Sequence, residues 1–536
     1  MSPEEKNQTT PTPTAQTAQP KGIKRRTILG ALASLPFLGG FFYSLYIKKA
    51  ADDARKSEIL SELGLGGGKA PAVLPQTTFK KPGQFIRLGF IGFGGRAEDL
   101  AVSAGFALPD LITEQKKEAA KDPENTWLKT WLNQQDLNVA ITGVCDLFDI
   151  RAERGLTAAA NEERPWGRGS KLPGAKRYRR YTDLLAAGDI DAVVVGTPDH
   201  WHAQIIMDAA KAGKHVYCEK CMTRTEEETH QVLAAVKAGN IVFQLGHQNR
   251  QNESHLQAKE IIRRNILGKV TLVETTTNRN SPDGAWVYKI HPQASESNID
   301  WEQFEEPCAT KVPFSKERFF RWRCWFDYGT GLSGDLLSHE YDAVNQILDL
   351  GIPKFATASG GTYFFKDGRD VPDVFQAVFE YPDRDLTLVY SATLANGRDR
   401  GRVFMGHDAT MEVMQSLTVT AEEESTRYKE KIEKKVIDPG LPLVAFAQGA
   451  KGIDTVTSAT EKYFASRGLM YTYRGGRIMD VTHLHIADWL DCIRNGGQPR
   501  CNIDRGYEEA ITCHMATRSF LEHRRVEWDP VARKIV

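Results

Sequence analysis

The segment Arg87-Leu88-Gly89-Phe90-Ile91-Gly92-Phe93-Gly94-Gly95-Arg96-Ala97 constrains this chain most, because an apolar run passes directly into G-x-G-x-x-A. Gly92 permits a tight turn, Gly94 lets backbone N–H groups come close to a pyrophosphate, and the small Ala97 allows the next helix to pack closely on the strand. The N-terminus of that helix directs partial positive charge at the phosphates, and Phe93, Gly95 and Arg96 complete the loop. The same letters occur at glycine turns of unrelated sheets, so the residues downstream decide.

Val139-Ala140-Ile141-Thr142-Gly143-Val144-Cys145-Asp146 is a second apolar run, ending in a carboxylate suited to the ribose hydroxyls of a bound adenosine. A carboxylate there repels a 2′-phosphate, so NAD is expected rather than NADP. Asp146 lies 52 residues beyond Gly94, against the usual spacing of about 20. A helical stretch inserted around Asp110–Gln135 is expected to account for the excess; without it Asp146 is only a strand-end acid.

Short β-branched runs alternate with helical segments: strands at Phe85–Ile91, Val139–Cys145, Ala192–Gly196, His215–Tyr217 and Ile241–Leu245, helices near Glu98–Gly105, Ile150–Ala160, Trp201–Lys211 and Glu226–Ala238. Alternation of this kind predicts a parallel α/β sheet. After about residue 268 come Val270–Thr277, Ala356–Phe364, Phe375–Tyr381 and Thr387–Thr393, strand-like and joined by hairpins or loops. The expected fold is therefore an α/β Rossmann dinucleotide-binding domain at 84–222, then an α+β domain at 223–536 with a large, mostly antiparallel sheet. The helical segments Leu484–Asn495 and Gly506–Glu522 are candidates to pack back on the first domain.

Lys and Arg number 69 and Asp and Glu number 69 in 536 residues, so no net field attracts nucleic acid. Eight cysteines are too sparse for a disulfide scaffold, and Cys218-x-x-Cys221 has no second pair with which to hold zinc. No metal is expected. The pair reads as two incidental cysteines.

The first fifty residues read as an address. Residues 2–20 are rich in Ser, Thr, Pro and Gln and predict disorder. Lys21, Lys24, Arg25 and Arg26 then precede 21 uncharged residues, Thr27 to Ile47, about 30 Å as a helix and long enough to span a bilayer. Arg25-Arg26-Thr27-Ile28-Leu29 resembles the core of a twin-arginine signal. Either cleavage or anchoring at the inner membrane through 27–47 places the remainder in the periplasm. Gly64-Leu65-Gly66-Gly67-Gly68 with Pro71, Pro75 and Pro82 marks 51–83 as a linker.

Asp191-Ala192-Val193-Val194-Val195-Gly196-Thr197-Pro198-Asp199-His200-Trp201-His202, followed by Gly213-Lys214-His215-Val216-Tyr217-Cys218-Glu219-Lys220-Cys221, resembles the Gfo/Idh/MocA oxidoreductase family. Glucose-fructose oxidoreductase and inositol dehydrogenase are members of it. The family carries a strand-T-P-x-x-x-H turn and then G-K-H-V-x-x-E-K-P, and the resemblance covers roughly residues 85–530. Cys221 stands where the family has a proline associated with a cis bond, which leaves the approach of Lys220 open. A third stretch, Gly331-Leu332-Ser333-Gly334-Asp335-Leu336-Leu337-Ser338-His339-Glu340-Tyr341-Asp342, contains the family's D-x-x-x-H. On a regular helix Asp335, His339 and Asp342 share one face beside the apolar stripe of Leu337, Tyr341, Val344 and Leu348.

The resemblance implies hydride transfer between NAD and a hydroxyl or keto group of a sugar or glycoside, and the expected location outside the cytoplasm, where free dinucleotide is scarce, implies that the NAD is tightly held. His339 is then the base, Lys220 stabilises the alkoxide, and Asp335 holds a sugar hydroxyl or orients His339. Thr197, Pro198, His200, His202, Glu219, Lys220 and Gln248 are expected to line the cofactor. Lys220, Arg250, Tyr288, Asp335 and His339 are expected on the substrate. His200-Trp201-His202 has the letters of a metal pair but fits a cofactor wall better, and Trp286, Tyr288 and Trp325 are either stacking platforms or core. The alternative activity is an NAD-dependent glycosidase working by transient oxidation and elimination; such relatives typically lack the E-K pair present here at Glu219-Lys220. A catalytically silent sensor is disfavoured by the intact Lys220, Asp335 and His339. The resemblance also implies a homo-oligomer.

Overall fold

The computed structural model describes residues 83–122, 125–163, 173–446, 471–474 and 477–536, together with helical positions between 43 and 61. The polar tail, the Arg25-Arg26 signal and most of the linker lie outside the described residues. Among the described residues no helix is long and apolar enough to cross a membrane.

Strand β1 (Ile86–Ile91) leads through the glycine turn into α1 (Gly95–Ser103). Two further helices follow, α2 (Pro109–Lys121) and α3 (Trp127–Leu132), before β2 (Val139–Cys145), every residue of which is buried. These two helices are the insertion that separates Asp146 from Gly94. They have a small core of their own, Ala107, Ile112 and Trp131, with Trp127 stacked on Trp131. The alternation continues with α4 (Asp149–Ala160), β3 (Lys176–Tyr178), α5 (Tyr181–Ala186), β4 (Ala192–Val195), α6 (Asp199–Lys211), β5 (His215–Cys218), α7 (Glu226–Gly239) and β6 (Phe243–Leu245).

The six strands form one parallel sheet in the order β3-β2-β1-β4-β5-β6. Burial on both faces explains why the central strands β1, β2 and β4 read as nearly continuous apolar runs. The order reverses between β1 and β4, and the crevice at the carboxyl ends of those two strands is where such sheets bind ligands. The sheet takes in β6, so the first domain runs past residue 222, the boundary expected from sequence: β5, α7 and β6 are one more βα unit of the same sheet.

The second sheet has ten strands in the order β14-β13-β12-β11-β7-β10-β9-β8-β17-β18. Its strands are β7 (Val270–Asn278), β8 (Phe355–Gly361), β9 (Val374–Tyr381), β10 (Leu386–Thr393), β11 (Arg402–Gly406), β12 (Ala409–Val413), β13 (Leu417–Ala421), β14 (Pro442–Phe446), β17 (Val526–Asp529) and β18 (Lys534–Ile535). Only β7 and β10 pair in parallel; the other pairs are antiparallel. Alternate residues of β10 are buried, as one covered face requires. A separate hairpin, β15 (Tyr471–Arg474) with β16 (Arg477–Asp480), precedes the C-terminal helices.

Four helices pack on the two sheets. In α8 (Glu253–Arg263) and α9 (Ser338–Leu348) the buried faces meet each other, and α9 also touches β7. From the C-terminal region, α10 (Val481–Asn495) returns to the first sheet, where Ile486, Ala487, Trp489 and Leu490 share a buried cluster with Leu88, Phe90, Val139 and Val194. The last helix, α11 (Ile503–Glu522), packs on both α7 and β8.

Candidate active site

A cleft of about 570 Å³ opens at the β1/β4 crevice and continues to the start of α9. At its inner end Gly92 adopts φ +80°, and a Cβ there would come within 2.9 Å of the Gly196 carbonyl. Glycine is required on both counts. Gly94 caps α1 without a side-chain bond, so the first N–H groups of the helix remain available to an anion at the cleft.

Asp146 follows β2 and accepts two backbone N–H bonds, from Phe93 at 2.6 Å and Phe148 at 2.8 Å. It therefore clamps the glycine turn to the β2–α4 loop as well as lining the cleft. Burial raises its pKa, opposed by Arg151 and those two N–H bonds. The Arg151 guanidinium lies over the rings of Phe148, Phe319 and Phe320 at 5.2–6.0 Å.

Midway along, Arg96 Nε donates to Glu219 Oε1 at 2.9 Å. Among the described residues, five buried polar atoms of cleft-lining residues lack a protein partner: Arg96 Nη2, Thr197 Oγ1, Asp199 Oδ1, Trp201 Nε1 and Gln248 Oε1. Buried polar groups are rarely left unpaired. A polar ligand along this half of the cleft would supply the missing partners, and the residues present fit the cofactor expected from the glycine turn.

Lys220 and His339 meet the cleft at the far end. The Lys220–Cys221 peptide is cis. Lys220 Nζ donates to the backbone carbonyl of Asp335 at 2.7 Å and also to its carboxylate Oδ1. Arg323 Nε donates to the same Oδ1 at 3.0 Å, and Trp286 Nε1 to Oδ2 at 3.0 Å. Burial would raise the Asp335 pKa, but Lys220 and then Arg323 hold it far below the usual carboxylate range. Burial likewise opposes the Lys220 charge, and Asp335 more than offsets it, so the ammonium persists.

Asp335 sits in a π-helical turn, Ser333–Leu337, that leads into α9. His339 is half-buried and makes no hydrogen bond among the described residues. Its pKa is held well below the usual imidazole value, first by burial and then by Lys220 and His247, so the ring is neutral near pH 7.

Thirteen of the site residues expected from sequence line this cleft: Gly92, Gly94, Gly95, Arg96, Asp146, Thr197, Pro198, Glu219, Lys220, Gln248, Tyr288, Asp335 and His339. Four do not, and each has a different physical role. The Phe93 side chain is buried in the core, and only its N–H serves the turn. His200 pairs its Nε2 with the Phe304 carbonyl at 2.8 Å, and burial pushes its pKa down to about 3. His202 bridges the carbonyls of Thr197 and Cys221 and props the two loops instead of facing the cofactor. Arg250 is buried, with its Nε on Asp342 at 2.8 Å and its Nη1 on the Arg500 carbonyl at 2.9 Å.

Asp342 is thereby drawn away from Asp335 and His339, and the π turn removes the regular spacing on which a shared face depends. Trp286 and Trp325 are buried rather than exposed as platforms. Sequence reasoning missed Arg151, Arg279, Phe319, Phe320, Trp322 and Arg323, all of which line the cleft. The aromatic and arginine run Phe319–Trp325, just ahead of the D-x-x-x-H stretch, was the available signal. Among the described residues no group of three or more His, Cys, Asp or Glu is arranged to hold a metal. None of the eight cysteines is in a disulfide.

Residues 126–247 match the family model described as "Oxidoreductase family, NAD-binding Rossmann fold", the GFO_IDH_MocA family. Levoglucosan dehydrogenase of Pseudarthrobacter phenanthrenivorans is 27% identical over 252 residues, 42% of this chain and 55% of the relative. Inositol 2-dehydrogenase of Salmonella typhimurium is 29% identical over 187 residues, 33% of this chain and 51% of the relative. The matched segment thus spans about half the length of these curated relatives. Among solved structures, levoglucosan dehydrogenase in complex with NADH and levoglucosan superposes with a TM-score of 0.52 at 17% identity, over 83% of this chain and 99% of that one. The WlbA dehydrogenase of Bordetella pertussis, in complex with NADH and UDP-GlcNAcA, gives a TM-score of 0.52 at 14% identity, over 83% and 99%. These structures share the fold. The strand order, the glycine turn and the cleft at the switch point make this an NAD-binding Rossmann fold, which over residues 126–247 is similar to that of the Gfo/Idh/MocA oxidoreductases.

Proposed function

We propose that the protein is an NAD-dependent dehydrogenase of a sugar or glycoside, acting on a secondary hydroxyl or the corresponding ketone. The observation that carries this reading is the pairing, in one cleft, of a charged Lys220 held on Asp335 with a half-buried, neutral His339. NAD, when bound, supplies the hydride acceptor.

His339 takes the hydroxyl proton, a task its neutral state allows and which is worth about 10²–10⁴ in rate when the base is well positioned. Lys220 donates to the same oxygen as alkoxide charge develops. Asp335 does not need to touch the substrate: it keeps Lys220 charged and in place. Arg96, Thr197, Asp199 and Gln248 would hold the cofactor, with the α1 N-terminus at its phosphates. The relatives whose names specify a substrate act on levoglucosan and inositol, which supports a polyhydroxylated ring as the substrate class.

Export by the twin-arginine route belongs to the same reading, carried by Arg25-Arg26 ahead of the uncharged stretch. A periplasmic setting with little free dinucleotide favours a cofactor that stays bound, and a homo-oligomer is expected through the second domain. Mass spectrometry of a mixed panel of monosaccharides and glycosides, incubated with the full chain and NAD, tests the activity. A product lighter by two hydrogens supports it. Cleaved glycoside with no net oxidation transfers the protein to the glycosidase reading, and an unchanged panel in the presence of bound cofactor overturns both.

A further inference from the structure

We infer that the substrate carries an oxyanion substituent, a carboxylate or a phosphate or sulfate ester, seated between Arg323 and Arg279. This rests on the dehydrogenase reading above and adds the charge of the substrate to it. The lining of the cleft is unevenly charged. At the Lys220 end the cations are Lys220, Arg279, Lys289 and Arg323, against the carboxylates of Asp335 and, acting on Lys220 and Arg323, Asp199. Of the other lining carboxylates, Glu219 is engaged by Arg96 and Asp146 by two backbone N–H groups, while Asp199 has one oxygen on the Thr330 hydroxyl, which leaves two cations in excess at this end.

Asp335 cannot neutralise the surplus. Its Oδ1 already receives Lys220 and Arg323, and its Oδ2 receives the Trp286 indole. Arg279, directly after β7, makes no ion pair among the described residues and reaches only the Gly284 carbonyl, at 3.5 Å. Lys289 is exposed and unpaired among them. Arg323 is held rigidly: its guanidinium lies 4.1 Å from the Trp322 ring centre, and its Nε is fixed on Asp335. That leaves its Nη groups without a partner among the described residues.

A planar guanidinium fork, immobilised before the ligand arrives, suits bidentate recognition of a carboxylate or phosphate. A neutral sugar would leave both guanidinium groups to water. An oxyanion on the ring would be neutralised by them, and the ring would be oriented with one edge toward Lys220 and His339.

The test uses the full chain saturated with NADH for binding and with NAD for turnover, so that the pyrophosphate cradle is filled. The probes are an aldohexose, the corresponding hexuronate, the hexose 6-phosphate and a hexose sulfate. Calorimetry is expected to show at least one of the three anions binding more tightly than the neutral sugar, and which of them does so identifies the group. Arg279→Gln, and separately the exposed Lys289→Gln, should weaken that preference, by about 10- to 100-fold in the first case, the range for losing one charged hydrogen-bond partner. If neutral hexose is bound and oxidised as well as its anionic counterparts, the inference is overturned and the dehydrogenase reading stands. If no probe is oxidised but an anion binds in a manner that Arg279→Gln weakens, the anion site stands and the dehydrogenase reading falls. Absence of anion binding overturns the inference outright.

Discussion

The imidazole of His247 meets that of His339 edge to face, ring centres 5.1 Å apart and planes at 89°, while its own Nε2 lies 2.7 Å from Glu509 Oε2. Both members of the His247–Glu509 pair are almost fully buried. Burial works against a charged His247, and the Glu509 carboxylate outweighs it, raising the His247 pKa. An imidazole whose pKa is raised by Glu509 thus stands behind the candidate base, and its protonated form lowers the base's proton affinity.

That arrangement sets a sign for the pH profile. His339 must be neutral to accept a proton, so the acid limb of kcat/KM for alcohol oxidation should fall well below the ordinary imidazole value. Removing the charge with His247→Asn, or withdrawing its support with Glu509→Gln, raises the His339 pKa and should move the limb to higher pH. A merely structural role would lower kcat at all pH values and leave the limb in place. Rate profiles of the two variants separate the outcomes.

Lys220→Met should lower kcat by about 10²–10³, the loss seen when one donor to a developing oxyanion is removed. Bound cofactor should be retained, because Asp335 keeps Arg323 and Trp286 as partners and the glycine turn is untouched. Lys220→Arg should recover little, since the ammonium reaches two Asp335 oxygens from a confined position. Stopped-flow turnover beside native mass spectrometry measures both quantities.

Two glycines of the turn should fail differently. A Cβ at Gly94 would meet nothing closer than the Arg151 guanidinium at 3.9 Å, so Gly94→Ala should fold with stability within about 0.5 kcal/mol of the parent. It should nevertheless bind NAD more weakly, because the methyl occupies the approach to the N–H groups. Gly92→Ala combines φ +80° with backbone contacts under 3 Å and should lose about 1–3 kcal/mol of stability. Thermal melts with and without NAD distinguish the two.

Trp489 is fully buried on the first sheet, its ring 5.8 Å from that of Tyr217. Trp489→Ala should cost about 3–5 kcal/mol. Denaturant titration followed by circular dichroism should show a lower midpoint; an unchanged midpoint would mean that α10 adds nothing to the stability of the cofactor domain.

Much of the architecture was legible without coordinates. The strand expected at Val139–Cys145 is β2 residue for residue, because a strand buried on both faces is a continuous apolar run. Two helix starts came out late, α1 at Gly95 and α6 at Asp199 against the expected Glu98 and Trp201, while α7 starts at the expected Glu226. First helical turns are built of polar residues and glycine, which add nothing to an apolar period. Strand β12 escaped notice because its burial falls only on alternate residues, Ala409, Met411 and Val413, with Thr410 and Glu412 between them.

What the sequence by itself determined is whatever short-range chemistry encodes. The glycine turn, the carboxylate after β2, the Glu219-Lys220 pair and the Asp335…His339 spacing each need only neighbouring residues to be recognised, and all of them line the cleft. Tertiary structure decided which charges meet. Arg323 and Trp286, 12 and 49 residues from Asp335, converge on its carboxylate. Asp342, seven residues from it, turns instead to Arg250. His247 reaches across 262 residues to Glu509. Such pairings are set by how two sheets and the helices between them pack, and no local period in the chain carries that information.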